Sequence, residues 1–457
     1  MSAIREMNRL ALELGRVWAR SDRLFGLVKP EAIDTRPIEL RHPLIFYVGH
    51  LPAFAWLHVC RRLMDRRAFE PAFDEMFDRG IDPDVDDPAR SHDHPDAWPA
   101  LADVLAYRDR VRAAVLEDVD RVRFTDGDDV MAHRGRALRM AIEHELMHQE
   151  TLLYMLQQLP LHQKVRPAKV TYDVDPGLKS GMIEVPAGTA TLGVRFDRLA
   201  FGWDNEFPDT TVDVPAFEVD ALPVTNGEFL RFVESGAYDA REFWTDDDFA
   251  WKTAAGLRHP LCWTRDGSAW SYRAMFDRLP LSAVRDWPVY VSLAEAQAYT
   301  RWRGARVMTE AEFHRAAYAT FDGRERTWPW GETPPTPVHA NLDFDAWSPD
   351  PVGSHPDGVS AWGVHELCGN GWEWTSTALA PFPGFRAYIP GYPGYSADFF
   401  DGKHYVLKGG SWATDARLVR PSYRNWFQAR YPYVFAKFRC VSAPEARRAA
   451  SATRAPV

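Results

Sequence analysis

The sequence predicts an α+β chain: a helical bundle over residues 1–165, followed by a loop-rich half that mixes short strands with short helices. Three observations predict it. Leu10, Leu14 and Val17 fall on one helical face, and "PALADVLAYRDRVRAAVLEDVDRV" repeats apolar residues at three- and four-residue intervals. Around residue 170 the pattern changes to "QKVRPAKVTYDVDPGLKSGMIEVPAGTATLGV", in which short β-branched runs alternate with Gly and Pro. The 18 Trp and 34 Pro among 457 residues exceed what a plain bundle carries, which places aromatic, irregular structure in the second half.

Taken in order, four apolar-periodic stretches before residue 165 predict an antiparallel bundle. Between them "RGIDPDVDDPARSHDHPDAWP" (79–99) is dense in Asp, Pro and His and reads as a long inter-helix loop able to fold over a site, its acids solvated. Residues 166–180 read as a linker, 181–445 as a second domain, and 446–457 as a disordered tail of low apolar content. Within the second domain one helix stands out, 292–304, with Ser292 as N-cap and Glu295 as its capping-box partner. No internal repeat is visible.

Charge and cysteine usage exclude several functions. A net charge of −10 offers no basic field to a phosphate backbone, so nucleic acid is not an expected partner. Cys60, Cys262, Cys368 and Cys440 form no CxxC pair, which argues against a disulfide framework or a cysteine zinc knuckle and for a reducing compartment. With no apolar run of about 18 residues, a membrane span is not expected either. The expectation is a soluble, cytoplasmic protein acting on small molecules.

The octapeptide "HELMHQET" (144–151) places two histidines four apart, on one face of a helix, where both imidazoles can reach one ion. His-Glu-x-x-His is also the zinc-peptidase signature, in which the glutamate polarises a metal-bound water. The extended form with a third histidine fails here, and Glu184, a distant candidate ligand, falls beyond the domain boundary. A better third ligand lies upstream in "RHPLIFYVGHLPAFAWLH" (41–58), which opens a helix after Pro43. Of its His42, His50 and His58, His50 sits mid-helix among apolar residues, and an antiparallel bundle can bring it opposite the pair. Three imidazoles without a carboxylate suit Zn, Cu or Fe(II). Glu150 points away from such an ion and takes a supporting role.

"RHPLIFYVGH" followed by "HELMHQET" resembles the DinB-like bundle of the hercynine-dependent sulfoxide synthases, the nonheme iron enzymes of ergothioneine biosynthesis. The second half resembles the same family's other domain, a fold shared with formylglycine-generating enzymes and related to C-type lectins. That likeness rests on "PVTNGEFLRFVESGAY", "WPVYVSLAEAQAYTRWRGARVMTEAEFHRAAY", "GVHELCGNGWEWTST", "VLKGGSWA", "RPSYRNW" and "FRC". Together the two halves cover roughly residues 10–442. The resemblance implies that His50, His144 and His148 bind Fe(II), leaving positions for O2 and for substrate sulfur or selenium. It implies that Tyr392, in "GFRAYIPGYPGYSADFF", donates the proton or electron and that Tyr395 contacts hercynine, with Tyr388 as an alternative donor. Asn425 and Trp426 match residues around hercynine, whereas Met147 stands where relatives carry a polar residue. The resemblance leaves room for a structural Ca2+ and leaves the oligomeric state open.

One departure bears on the cosubstrate. Relatives that use γ-glutamylcysteine carry an acid after "RNW" and an arginine four positions later; here these positions are Phe427 and Tyr431. Without that charged pair, a γ-glutamyl dipeptide loses its strongest recognition. Most similar is the selenoneine synthase branch, which joins selenium from a 1-selenosugar to hercynine. Phe427, Tyr431 and Tyr433 would stack on a sugar ring while Gln428 and Arg430 bond to its hydroxyls. The alternatives are an ergothioneine-type enzyme using cysteine or γ-glutamylcysteine, with Arg430 taking the carboxylate, a zinc hydrolase on HELMH, and a lectin-like binding module whose Trp372, Trp374 and Trp412 are core. Formylglycine generation needs a second cysteine near Cys440, and none is close in sequence. In the loop, Arg90 is the candidate substrate contact, alongside Asp87 and His94.

Overall fold

The computed structural model describes residues 3–81, 98–119, 129–179 and 181–444. Arg90, Asp87, His94 and the 446–457 tail lie outside the described residues. The chain is α+β and divides into two compact units. The first comprises Met1–Ala168 with Phe196–Asp204 and Arg386–Tyr395; the second comprises Lys169–Arg195, Asn205–Phe385 and Ser396–Val457. The helical unit therefore takes in two segments from the second half of the chain, which helical periodicity does not signal.

In the first unit the helices are α1 (Ala3–Phe25), α2 (Leu44–Ala55), α3 (Pro71–Phe77), α4 (Leu101–Val119) and α5 (Arg136–Gln158). Leu10, Leu14 and Val17 of α1 are buried as their spacing predicts, and α1 packs on α5. All twelve residues of α2 are buried, because it is apolar around its whole circumference and lies against α3, α4 and α5. Its entry is set by Pro43, whose extended backbone forms the N-cap. Inside it, Pro52 has no amide to donate, and beyond Ala55 the same helix continues as a π-helix over Trp56–Leu63. α5 starts after Gly135, which takes φ +65° and turns the chain into the helix that carries HELMHQET.

In the second unit a four-stranded antiparallel sheet runs in the order Met182–Val185, Phe217–Asp220, Cys440–Ser442, Arg306–Val307. A second sheet orders Asn425–Gln428, His404–Lys408, Trp372–Ala378 and Ala436–Lys437, the last pair parallel. The helices are α6 (Asn226–Glu234), α7 (Asp246–Ala254), α8 (Leu293–Trp302) and α9 (Glu310–Tyr318). The expected capping box of Ser292 and Glu295 forms, and Thr225–Glu228 and Thr309–Glu312 repeat it. Trp372, Trp374 and Trp412 are core, as the sequence predicts. Residues 172–178, read as linker, are tied into this unit: the Trp287 indole donates to the Asp173 carbonyl and the Leu178 amide to Val352. Among the described residues, no helix is long and apolar enough to cross a membrane.

Candidate metal centre

The centre is built on the two helices that the sequence singles out. His50 comes from the middle of α2, and His144 and His148 come from one face of α5. Their ligating atoms all lie within 4.8 Å of one another. The Nε2 of His148 lies 3.2 Å from that of His50 and 3.0 Å from that of His144.

The tautomer of His50 is fixed by its other nitrogen. Nδ1 lies 2.7 Å from the Phe77 carbonyl, which can only accept, so Nδ1 carries the proton and Nε2 presents a lone pair. Gly49 makes this contact possible, since a Cβ there would overlap the Phe77 ring and push α3 off α2. Rings clamp the imidazoles: Phe54 stacks on His144 at 3.5 Å and 4°, and Phe46 stacks on His50 at 4.9 Å. Burial pushes the His50 pKa down to about 4, and burial with the neighbouring imidazoles holds His144 and His148 well below the usual histidine range. All three are neutral at pH 7. Nδ1 of His144 and of His148 has no hydrogen-bond partner among the described residues. Three buried, neutral nitrogens gathered from two helices, with no carboxylate among them, suit one first-row divalent ion, so the donor set accommodates the implied iron.

Glu145 points elsewhere. One residue past His144 on a helix is about 100° round the axis, and its carboxylate accepts from Ser21 Oγ at 2.5 Å on the α1 side. Gln149 extends this network, donating to Ser21 Oγ at 2.9 Å and to the Val17 carbonyl at 3.0 Å. A zinc hydrolase on HELMH would need that carboxylate beside the metal-bound water, and here it holds α5 against α1. Glu184, the distant ligand candidate, sits exposed on a strand of the second unit. Burial raises the Glu145 carboxyl from 4.5 to about 7. Its contribution to stability is therefore fully present below pH 4.5 and lost as pH rises through about 7. Glu145→Gln should keep metal loading and turnover, and its gain in unfolding free energy over the parent should be larger at pH 8 than at pH 5, reaching about 3 kcal/mol. Loss of turnover with the fold intact would return the glutamate to the chemistry.

The loop tyrosines belong to the same unit. Tyr395 is buried, its hydroxyl faces Met147 Sδ at 4.0 Å, and its ring stacks on Trp203 at 4.0 Å and 20°. Tyr392 lies 5.4 Å from Tyr395 and 6.0 Å from Phe54. Tyr388, the alternative donor, instead gives its hydroxyl to the Gly202 carbonyl and packs on Phe196. His42 contacts the Gly80 carbonyl, and His58 sits beside Arg62, where burial and that guanidinium push its pKa down to about 3. Neither joins the three-imidazole group.

The remaining candidates lie in the second unit. Asn425–Gln428 is a strand paired with His404–Leu407, which buries Gln428 and leaves Asn425, Trp426 and Phe427 partly exposed. Tyr431 corrects the sequence reading: it is fully buried under Phe427, stacked at 5.2 Å and 4°, so it cannot itself offer a face to a sugar. Arg430 is engaged, its Nε donating to Asp248 at 2.9 Å. Sequence reasoning missed Phe54, Arg62 and Trp203, which carry no motif and matter only through packing.

Comparison with known proteins gives two family matches along the chain. The DinB superfamily matches residues 13–152, and the sulfatase-modifying factor enzyme 1-like domain matches residues 172–444. The chain is 37% identical to a hercynine oxygenase of Mycolicibacterium thermoresistibile, across 88% of this chain and 87% of that one. It is 30% identical to ergothioneine biosynthesis protein 1 of Neurospora crassa, across 93% of this chain and 56% of that one. Among solved structures, PvdO from Pseudomonas aeruginosa matches with a TM-score of 0.37 and 20% identity, covering 61% of this chain and 98% of that one.

Proposed function

Because the chain belongs to the hercynine oxygenase family, we propose that it is an Fe(II)- and O2-dependent oxidoreductase joining a chalcogen to C2 of the hercynine imidazole. We assign selenium, from a 1-selenosugar, as that chalcogen. The observation that carries the reaction class is the cluster of His50, His144 and His148, three neutral buried nitrogens on two helices. In this reading residues 1–165 hold the metal, 166–180 connect, and 181–445 recognise the cosubstrate.

The overall conversion balances without an external reductant. The C2–H bond of hercynine and the Se–H bond of the selenosugar break, C–Se and Se–O bonds form, and O2 is reduced by four electrons to the selenoxide oxygen and water. When bound, Fe(II) supplies the electron transfer to O2 and a position for the chalcogen. The chain's own residues do the rest. The Phe77 carbonyl orients His50, while Phe46 and Phe54 hold the imidazoles and keep water out. Two protons must reach oxygen, and we assign the Tyr392 phenol to relay one, its ring lying 6.0 Å from Phe54, which stacks on His144. Tyr395, pinned between Trp203 and Met147, offers a fixed aromatic face to the trimethylammonium of hercynine. By the resemblance, Asn425 and Trp426 are assigned to hercynine, and Arg90, outside the described residues, is assigned to substrate contact.

Selenium is favoured over sulfur by Phe427 and Tyr431, which stand where relatives using γ-glutamylcysteine carry an acid and an arginine. Phe427, partly exposed and stacked with Tyr431, offers a ring suited to the apolar face of a sugar. The test is anaerobic Fe(II) reconstitution, then O2, hercynine and either a 1-selenosugar, cysteine or γ-glutamylcysteine, with mass spectrometry of the products. A selenium adduct of hercynine from the selenosugar is expected. A sulfoxide formed only with the thiols would move the enzyme to the sulfur branch, and no product with any donor would overturn the reaction class.

A further inference from the structure

Past Pro52, α2 unwinds into an eight-residue π-helix, Trp56–Leu63. Such helices are rare, usually limited to one turn, and concentrate at functional sites. Phe54 at the end of α2 and His58 and Arg62 in the π-helix, four residues apart, form one file. Phe54 stacks on His144 at 3.5 Å, the His58 ring lies 4.3 Å from Phe54, and Arg62 Nη1 lies 3.2 Å from His58 Nδ1. Four planar groups thus form a column from a candidate ligand to an exposed guanidinium.

Tyr392 leans on that column, its ring 6.0 Å from Phe54 and 6.0 Å from His58. The residue before it is also fitted to the column. Gly391 takes φ +75°, a conformation that favours glycine, and its Cα lies close against the Arg62 guanidinium, so the loop backbone packs on this arginine.

We propose that Arg62 and His58 are positioning residues for Tyr392, the column setting where the phenol stands relative to the three imidazoles. The inference rests on the reading of Tyr392 as the proton-relaying group. A purely structural column would contribute to stability with no special tie to Tyr392.

Arg62 is exposed, so Arg62→Ala leaves the core intact. The experiment compares Arg62→Ala, Tyr392→Phe and the double variant for iron content, kcat and KM for hercynine. In addition, 3-fluorotyrosine is placed at position 392 of the metal-free chain and its 19F resonance recorded with and without Arg62→Ala. Arg62→Ala is expected to lower kcat by about 10- to 100-fold, with iron content and KM within about twofold. It should shift the 19F resonance and cause no further loss in the Tyr392→Phe background. Additive losses, an unmoved resonance or an unchanged kcat would overturn the positioning role while leaving that of Tyr392. A fully active Tyr392→Phe variant would instead overturn the reading of Tyr392.

Discussion

Replacing His50 by Ala is expected to remove Fe(II) binding and turnover together. His50 is the one member of the cluster contributed by α2; without it, α5 offers two nitrogens and the ion loses the helix-to-helix bridge. Disturbing a group that merely orients a ligand costs about 10- to 100-fold in metal affinity, so removing the ligand itself should exceed that. The Phe77 carbonyl also loses its donor, so α3 is loosened against α2. The measurement is anaerobic Fe(II) titration of wild type and His50→Ala with circular dichroism as the control for folding, followed by product analysis. Full iron occupancy and normal turnover in the variant would show that the third ligand lies elsewhere.

That placement shows what helical periodicity can and cannot convey. The spacing of His144 and His148 puts both on one face of a helix, and choosing His50 over His42 and His58 needed only the apolar neighbours that bury the centre of α2. The direction of Glu145 was not legible, since the HExxH pattern is shared with zinc peptidases; its contact with Ser21 of α1 decides it. Other features depend on tertiary packing. Nothing local ties Trp203 to Tyr395, yet their rings stack across almost two hundred positions of sequence. The π-helix follows Pro52, and an apolar pattern does not signal the change from α- to π-helix after Ala55. Tyr431 was read as a platform because its type suits a sugar. It lies beyond the end of the strand that carries Phe427, where the chain turns back through the Tyr431 amide to the Gln428 carbonyl, and that turn tucks its ring under Phe427.

Tyr392→Phe is expected to lower kcat by about 10²- to 10⁴-fold, the range for loss of a positioned proton donor, while iron content and the affinity for hercynine stay near wild type. The argument begins with its neighbours. Tyr388 gives its hydroxyl to the Gly202 carbonyl, and Tyr395 is buried with its hydroxyl against the Met147 thioether and its ring against Trp203. Both rings are held by contacts that suit binding better than proton transfer. Tyr392 is partly exposed and rests against Phe54, the ring that itself stacks on His144. Removing one oxygen atom leaves that packing intact, so a kinetic loss reports on the hydroxyl and not on the fold. Tyr395→Phe serves as the contrast: its ring stays on Trp203 and keeps its aromatic face, so kcat should stay near wild type, whereas Tyr395→Leu, which removes the ring, should act mainly on KM for hercynine. Single-turnover mixing of the Fe(II) enzyme, hercynine and cosubstrate with O2 separates the two, because a lost proton donor slows the chemical step while a lost contact slows binding. If Tyr395→Phe proved the slower of the two in single turnover, the roles of the two tyrosines would have to be exchanged.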